Sequence, residues 1–238
     1  MPPTSRTARS ARERVREEMT AEILAVARAH LADEGAAALS LRSVARDLEL
    51  APSALYRYFD GRDALLSALI MAAYESLAVE AERAAEQAGK TGGTDTDRWV
   101  EVPRAVRRWA LAHPHEWGLI FGTPVPGYEA PEDTVEPYAR VAEALFRPVA
   151  EANAAGRLRT DDRDPTVSDG LRDAVAPVTD GLFDDMPVEK VVLAIQAWTT
   201  LVGIVSLELF GHWRNTILDP GTFFEATIRN VAEGLGLA

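Results

Sequence analysis

Apolar residues recur at three- and four-residue intervals along nearly the whole chain, which predicts α-helices and gives no alternating run long enough for a strand pair. The first predicted helix covers about residues 14–33 and stops at Gly35, since glycine commonly follows a last helical turn. The second starts after Ser40, a good N-cap, and the third near Pro52, which needs no amide donor in a first turn. A fourth covers about residues 62–88.

A polar, glycine-rich segment at residues 89–97 is the clearest break in the pattern. Beyond it the same periodicity predicts helices separated mostly by turns that contain proline or glycine, near residues 97–112, 114–121, 131–155, 166–180, 187–213 and 220–235. The sequence therefore predicts an all-α fold with two parts, an N-terminal three-helix unit over residues 1–62 and a helical domain over residues 63–238.

The composition of the 238-residue chain, 47% apolar and 26% charged, is typical of a globular protein. The absence of cysteine excludes disulfides and thiolate chemistry, and it fits a cytoplasmic location. The N-terminal residues have arginines but no apolar core of a secretory signal. Residues 191–207 carry no charge, but they include Gln196, Thr199 and Thr200, so we expect a buried helix there and no membrane association.

Charge is distributed unevenly along the chain. Residues 1–62 hold ten Arg against nine Asp and Glu, a net of +1, which leaves −13 for the rest of a chain whose formal net charge is −12. The first sixteen residues hold five Arg and one Glu, and residues 1–12 are predicted to form a flexible basic arm. Any nucleic acid would be bound by the N-terminal quarter, because the remainder would repel phosphates.

The third predicted helix carries a face that packing does not explain. Leu55 and Phe59 account for its buried contacts, but small residues at its start and Tyr and Arg side chains near its end remain. Small residues allow a helix end to approach a surface closely, and the aromatic hydroxyls and guanidinium groups can donate to phosphates or base edges. These are the requirements of a recognition helix in a major groove. The alternative is that Tyr56 and Tyr58 are half-buried core aromatics and Arg57 a solvated charge.

The stretch "ALSLRSVARDLELAPSALYRYFDGRDALLSALI" resembles the N-terminal signature of the tetracycline-repressor (TetR) family of bacterial transcriptional regulators. The resemblance covers about residues 15–72 and implies a helix-turn-helix DNA-binding domain. It places five residues near base edges and three near phosphates. The first set is Arg42, Ser43, Ser53, Ala54 and Arg57, next to Pro52 at the helix start, and the second is Tyr56, Tyr58 and Arg62.

Two positions depart from the pattern of that family. Ala54 stands where a threonine is common, so a methyl contact to thymine would replace a hydroxyl contact. Glu49 stands where the turn usually has glycine, and a left-handed backbone there would cost about 1 kcal/mol.

The resemblance also implies a C-terminal domain that dimerises and binds a small effector. The helix predicted over residues 187–213 is apolar nearly all round, so it must be buried on more than one side, either against a partner subunit or wholly within its own chain. The expected dimer interface combines this helix with the last one. It consists of Val191, Ile195, Val202, Gly203, Leu209, Phe224 and Ile228.

Aromatic residues concentrate in the middle of the chain and could line a cavity for an apolar or aromatic effector. The candidate ligand-binding residues are Trp109, Trp117, Phe121, Tyr128, Tyr138, Phe146 and Trp198. "HPHEWGLIFGTPVPGY" and "SLELFGHW" resemble the C-terminal domain of an actinobacterial-type TetR subgroup. Aromatics at helical spacing are also typical of an ordinary core, and Glu208 and His212 are expected in a salt bridge or in solvent, with contact to an effector as the alternative.

The sequence predicts no enzyme, no cofactor and no metal. His113 and His115 flank a proline and would need ligands from elsewhere to hold a metal, and the acidic turn at residues 160–165 lacks the glycine and closing glutamate of a calcium loop. We therefore expect a homodimeric repressor that an effector releases from a palindromic operator. The alternatives are a ligand-binding or interaction protein with degenerate DNA affinity, and a transcriptional activator.

Overall fold

The computed structural model describes residues 11–129, 131, 134–159, 165–179, 183 and 186–237. Residues 1–10 of the expected basic arm and Asp161, Asp162 and Asp164 of the acidic turn lie outside the described residues. Within the described residues, the chain forms ten α-helices, one short 3₁₀ helix and no strand, which confirms the all-α prediction.

The helices are α1 (Ala11–Glu34), α2 (Leu41–Asp47), α3 (Pro52–Leu55), α4 (Arg62–Thr91), α5 (Asp95–Ala112), α6 (Pro114–Phe121), α7 (Val135–Ala154), α8 (Asp169–Thr179), α9 (Val188–Leu209) and α10 (Pro220–Leu235). The 3₁₀ helix covers Ala36–Ala38. Each predicted helix is present, with ends that differ by a few residues.

Two of the differences from the predicted boundaries lie at the polar segment and at α9. Helix α4 continues to Thr91, and α5 begins at Asp95, because Thr94 and Asp97 form a reciprocal capping box there. The predicted linker is therefore a short turn. Helix α9 ends at Leu209, four residues before the predicted end.

Contacts divide the chain into two units, each with its own core. The first consists of Met1–Ala72 with Thr123–Pro131, and the second of Ala73–Gly122 with Glu132–Ala238. Helix α4 contributes residues to both. In the first unit the buried side chains include Ile23, Ala27, Val44, Leu55, Phe59 and Leu65. They come from α1, α2, α3, the segment after α3 and the start of α4, so the apolar periodicity of these helices is explained by one shared core.

The core of the second unit is built around α5, α7, α9 and α10, with Trp99 and Trp117 among its fully buried side chains. Ion pairs join its helices: Arg107 Nη2 lies 2.6 Å from Glu208 Oε1, and Arg104 Nη2 lies 2.6 Å from Glu225 Oε2. Glu208 is thus held in a salt bridge, and His212 is exposed. Both placements agree with the expectation that these two residues lie in a salt bridge or in solvent.

Helices α4 and α9 are long and apolar enough to cross a membrane by length and composition alone. Both helices contribute side chains to the protein core, among them Leu65 and Leu77 of α4 and Val191 and Leu201 of α9.

Candidate nucleic-acid interface and ligand pocket

The turn between α2 and α3 fixes the direction in which α3 leaves. Ser40 caps α2 by accepting a hydrogen bond from the amide of Arg42. At the other end, the amides of Glu49 and Leu50 donate to the carbonyls of Arg46 and Ala45 at 3.0 and 2.9 Å, and Glu49 has a φ of 57°. This is a complete Schellman motif with a glutamate at the left-handed position, as its sequence position predicted.

Helix α3 is one helical turn long, and hydrogen-bonded turns at residues 56–58 follow it. Pro52 occupies its first position, and the amides of Arg57 and Tyr58 bond to the carbonyls of Ala54 and Leu55. Leu55 is fully buried and Phe59 nearly so, which anchors the segment from below. Pro52, Ser53, Tyr56 and Arg57 are exposed, and Ala54 is half-buried.

Two guanidinium groups on this surface are not engaged. Arg42 and Arg57 are exposed, and among the described residues neither side chain has a hydrogen bond or ion pair. By contrast, carboxylates hold Arg104, Arg107 and Arg140 in the second unit. A free, exposed guanidinium can donate to phosphate or to a guanine edge without first breaking an internal contact.

The two tyrosines differ in their surroundings. The Tyr56 side chain is 51% exposed, so its hydroxyl is available to a partner. Tyr58 is half-buried, and the guanidinium carbon of Arg16 lies 5.5 Å from its ring centroid. This cation–π contact packs α1 against the segment after α3. Arg16 had no assigned role in the sequence, because the contact joins residues 42 positions apart.

Ser43 and Arg62 both have partners inside the first unit. The Ser43 hydroxyl donates to the Ser40 carbonyl at 2.8 Å. Arg62 Nη2 donates to the carbonyls of Ala36 and Ala37 at 3.0 and 3.4 Å. In this structure Arg62 therefore braces the 3₁₀ helix after α1, and a phosphate would compete with that carbonyl contact.

A buried histidine also joins the helices of the first unit. His30 Nε2 lies 2.6 Å from Asp47 Oδ2, and the contact connects α1 to the last residue of α2. The hydrogen bond from His30, followed by that from Arg46, lowers the pKa of Asp47. The sequence carried a signal for the burial of His30, which shares one face of α1 with Ile23 and Ala27, but not for its partner Asp47.

The second unit contains an open pocket of about 510 Å³. Its lining consists of Tyr74, Phe121, Tyr138, Trp198, Thr199, Val202 and Gly203. Three of the seven aromatic residues proposed for ligand binding thus come together here, namely Phe121, Tyr138 and Trp198. Tyr74 was missed, because its position in the apolar pattern of α4 does not distinguish a pocket wall from core.

The other four proposed ligand residues lie elsewhere. Trp109 and Trp117 are buried, and their indole nitrogens donate to the hydroxyls of Ser76 and Ser206, each at 3.0 Å. Phe146 is buried against Phe183, 5.3 Å between ring centroids. Tyr128 belongs to the first unit, where its hydroxyl lies 2.9 Å from that of Ser67. These four residues do not line the pocket. They pack in the core or donate and accept hydrogen bonds with serine hydroxyls instead.

The residues predicted for the dimer interface differ in their exposure within the single chain. Val191, Phe224 and Ile228 have 0–2% of their surface exposed, so they belong to the core of the single chain. Ile195 and Leu209 are partly buried against the same core, and Val202 and Gly203 line the pocket. The large apolar side chains left exposed at the end of α9 and on α10 are instead Leu207, Phe210 and Phe223.

A capped helix, a tight turn and a short exposed helix braced by α1 define a helix-turn-helix DNA-binding regulator. Residues 23–69 match the family described as bacterial regulatory proteins of the tetR family, and residues 99–231 match the tetracyclin repressor-like C-terminal domain. The chain belongs to the TetR family of transcriptional regulators, which is not a family of enzymes.

Similar proteins and solved structures agree with this assignment. The HTH-type transcriptional regulators Rv1816 of Mycobacterium tuberculosis and Mb1846 of Mycobacterium bovis are each 39% identical over 225 residues, which is 92% of this chain and 92% of theirs. The solved structure of SCO4313 is 36% identical with a TM-score of 0.74, and the match covers 94% of this chain and all of that one. A TetR regulator from Marinobacter aquaeolei, 15% identical with a TM-score of 0.61 over 95% of this chain and 98% of its own, shares the fold.

Proposed function

We propose that this regulator is a homodimeric repressor that reads a palindromic operator with the surface formed by the start of α2 and by α3. The observation that supports this is the pair of exposed guanidinium groups of Arg42 and Arg57, which have no partner among the described residues, beside the exposed hydroxyl of Tyr56. Arg42, Arg57, Ser53 and Ala54 would contact base edges, and Tyr56 would hold a phosphate. The site of action would be the cytoplasm, where such regulators meet chromosomal DNA.

Two copies are needed to read both halves of a palindrome. Half-sites one helical turn apart are separated by roughly 34–36 Å, and a rigid dimer fixes the spacing of two recognition helices. The dimer surface would include Leu207, Phe210 and Phe223, because large exposed apolar side chains favour association.

The effector would bind in the aromatic pocket of the second unit. A ligand shifts an equilibrium only through its differential affinity for two states, so release requires that the effector prefer a dimer with the wrong recognition-helix spacing. Helix α4 carries the pocket residue Tyr74 and also supplies Arg62 to the DNA-binding unit, which makes it the proposed connection between the two functions.

A salt titration of DNA binding tests this proposal. The full-length protein is titrated onto a labelled duplex from its own upstream region, with a shuffled duplex as competitor, at several salt concentrations. We expect site-specific binding that weakens steeply as salt rises, because protein cations release condensed counterions from DNA. Equal binding to both duplexes, or none, would favour the alternative of a ligand-binding protein with degenerate DNA affinity.

A reporter gene placed behind the bound site distinguishes a repressor from an activator. Repression predicts that transcription rises when the regulator is deleted. A fall in transcription on deletion would identify an activator and contradict the repressor part of the proposal.

A further inference from the structure

Four aromatic rings in the pocket form a closed circuit. Ring centroids of neighbours are 5.9 Å apart for Tyr74 and Phe121, 5.9 Å for Phe121 and Trp198, 5.6 Å for Trp198 and Tyr138, and 5.7 Å for Tyr138 and Tyr74. The corresponding interplanar angles are 86°, 66°, 77° and 74°. Each ring thus makes edge-to-face contacts with both of its neighbours.

The remaining lining of the pocket carries no formal charge. It consists of Thr199, Val202 and Gly203, so no described lining residue could pair with an anionic group or with a cation through a full charge. The electrostatic character of the pocket therefore comes from the aromatic rings, whose faces are negative and whose edges are positive. Such walls discriminate between ligands of different charge, because ring faces attract cations and repel anions.

Charged residues close to the pocket residues in the sequence also favour a positively charged ligand. Glu75 follows Tyr74, and Arg140 lies two positions after Tyr138. Arg140 binds both Glu75 and Glu82, so this cluster holds two carboxylates for one guanidinium. With the net charge of −13 beyond residue 62, the surroundings favour a cation over an anion.

We propose that the aromatic pocket binds a small organic cation, a quaternary or tertiary ammonium group attached to an apolar remainder. The ammonium group lies among the faces of Tyr74, Phe121, Tyr138 and Trp198, and the apolar remainder fills the rest of the 510 Å³. This inference rests on the proposed function, since it assigns a chemical class to the effector of the same regulator.

The two phenols suit this role as neutral groups. Burial raises the pKa of Tyr74 to about 12 and raises that of Tyr138 as well, so both keep their proton at neutral pH. The Tyr74 hydroxyl donates to the Ile120 carbonyl at 3.4 Å, which leaves its oxygen lone pairs available. The two phenols therefore act on a cation as neutral groups, through their ring faces and hydroxyl oxygens.

A pair of isosteric probes tests the proposal. Phenyltrimethylammonium and tert-butylbenzene have the same shape and differ by the replacement of a positively charged nitrogen with carbon. Both are titrated into the full-length protein, and binding is followed by isothermal titration calorimetry, which does not depend on any tryptophan. We expect the cation to bind about tenfold more tightly or better, since a desolvated cation–π site contributes roughly that factor. Equal or tighter binding of tert-butylbenzene, or no binding of the cation, would overturn the proposal.

Variants locate the binding to the rings. Trp198→Leu removes a wall and should weaken phenyltrimethylammonium binding about tenfold, whereas Tyr138→Phe keeps the ring face and should change it by less than about threefold. Trp213→Leu makes the same kind of change outside the pocket and should leave binding unchanged. If Trp198→Leu loses its helical circular dichroism, Tyr138→Leu replaces it with the same expectation. Wild-type affinity in the folded Leu variant would contradict the assignment.

Operator binding without any ligand separates this inference from the function on which it rests. If the protein binds its operator but prefers the neutral isostere, the cation assignment is wrong and the regulator proposal stands. If the protein binds the cation but no operator, the regulator proposal is wrong and the pocket assignment stands.

Discussion

His30 Nε2 lies 2.6 Å from Asp47 Oδ2, and this contact ties the buried face of α1 to the last residue of α2. The imidazole is nearly buried, whereas the Asp47 side chain is partly exposed. Helix α2 precedes the turn that orients α3. The contact therefore fixes α2, and through the turn it stabilises the position of Arg57.

The contact predicts how stability responds to acid. Since the hydrogen bond from His30 lowers the folded-state pKa of Asp47, its stabilising effect is complete above the ordinary value of 3.8 and is lost as the pH falls through the lower folded-state value. Asp47→Asn should therefore lower the free energy of unfolding near neutral pH and make the acidic fall of stability less steep. Urea unfolding at a series of pH values measures both effects.

The exposed Asp33 near the end of α1 provides a control for that experiment. Asp33→Asn removes the same charge but no contact to His30, so it should leave the acidic fall as steep as in the wild type. An Asp47→Asn protein with an unchanged acidic fall would show that the His30 contact is not linked to protonation.

Replacing Arg57 or Arg42 with Ala should reduce discrimination at individual base pairs of the operator by about 1–3 kcal/mol, if either guanidinium makes a bidentate base contact. Fluorescence anisotropy with the operator and with single-base-pair variants measures the loss position by position. Arg83→Ala removes an exposed arginine, paired with Glu80, from the later part of α4 and serves as the charge control.

The control separates recognition of bases from nonspecific electrostatic attraction to DNA. Arg83→Ala should preserve the ranking of all operator variants. If Arg57→Ala also preserves the affinity for the operator, the reading face has been assigned to the wrong residues.

Tyr56→Phe should weaken binding to specific and unrelated duplexes by the same factor, because a phosphate contact carries no sequence information. The expected loss is about 0.5–1.5 kcal/mol, the usual net value of one hydrogen bond. Tyr128→Phe removes a hydroxyl that bonds to Ser67 and should leave DNA affinity unchanged. A loss confined to the operator would move Tyr56 from phosphate to base recognition.

Glu49 combines a left-handed backbone with a negative charge on the DNA-binding unit. Glu49→Gly should raise the free energy of unfolding by about 1 kcal/mol, because glycine adopts that conformation without strain. Glu49→Gln removes only the charge, so it should strengthen DNA binding with little change in stability. Thermal unfolding and anisotropy titrations measure the two effects, and equal stability of both variants would contradict the strain.

Phe210 is 47% exposed at the end of α9 and belongs to the proposed dimer surface. Phe210→Glu should shift the protein towards monomer in light scattering, since a charge would be buried against an apolar partner. Val79→Glu alters another exposed apolar residue, on α4, and should leave the mass unchanged. A Phe210→Glu protein that remains dimeric would exclude this surface.

The helices were predictable because their information is local. Apolar spacing, the Ser40 cap and Pro52 mark the elements of the first unit, and the position of Glu49 in the motif predicted its left-handed backbone. Contacts between distant residues were not predictable in this way. Arg62 was expected to hold a phosphate but donates to the Ala36 carbonyl, which lies 26 positions away.

The C-terminal site was predictable only in part, for a physical reason. Periodicity identifies which positions of α9 are apolar but not which apolar side meets its own chain, so Val191 was assigned to a partner and lies in the core. Likewise, aromatic composition does not distinguish a pocket wall such as Trp198 from a core residue such as Trp117. Only the packing of the helices decides between them.

The strained turn at Glu49 also has a genetic consequence. Glutamate and glycine codons differ by one base, so a single transition relieves the left-handed conformation. In a randomly mutagenised gene pool selected for heat resistance, glycine at this position should therefore arise early and repeatedly, ahead of stabilising replacements that require two nucleotide changes.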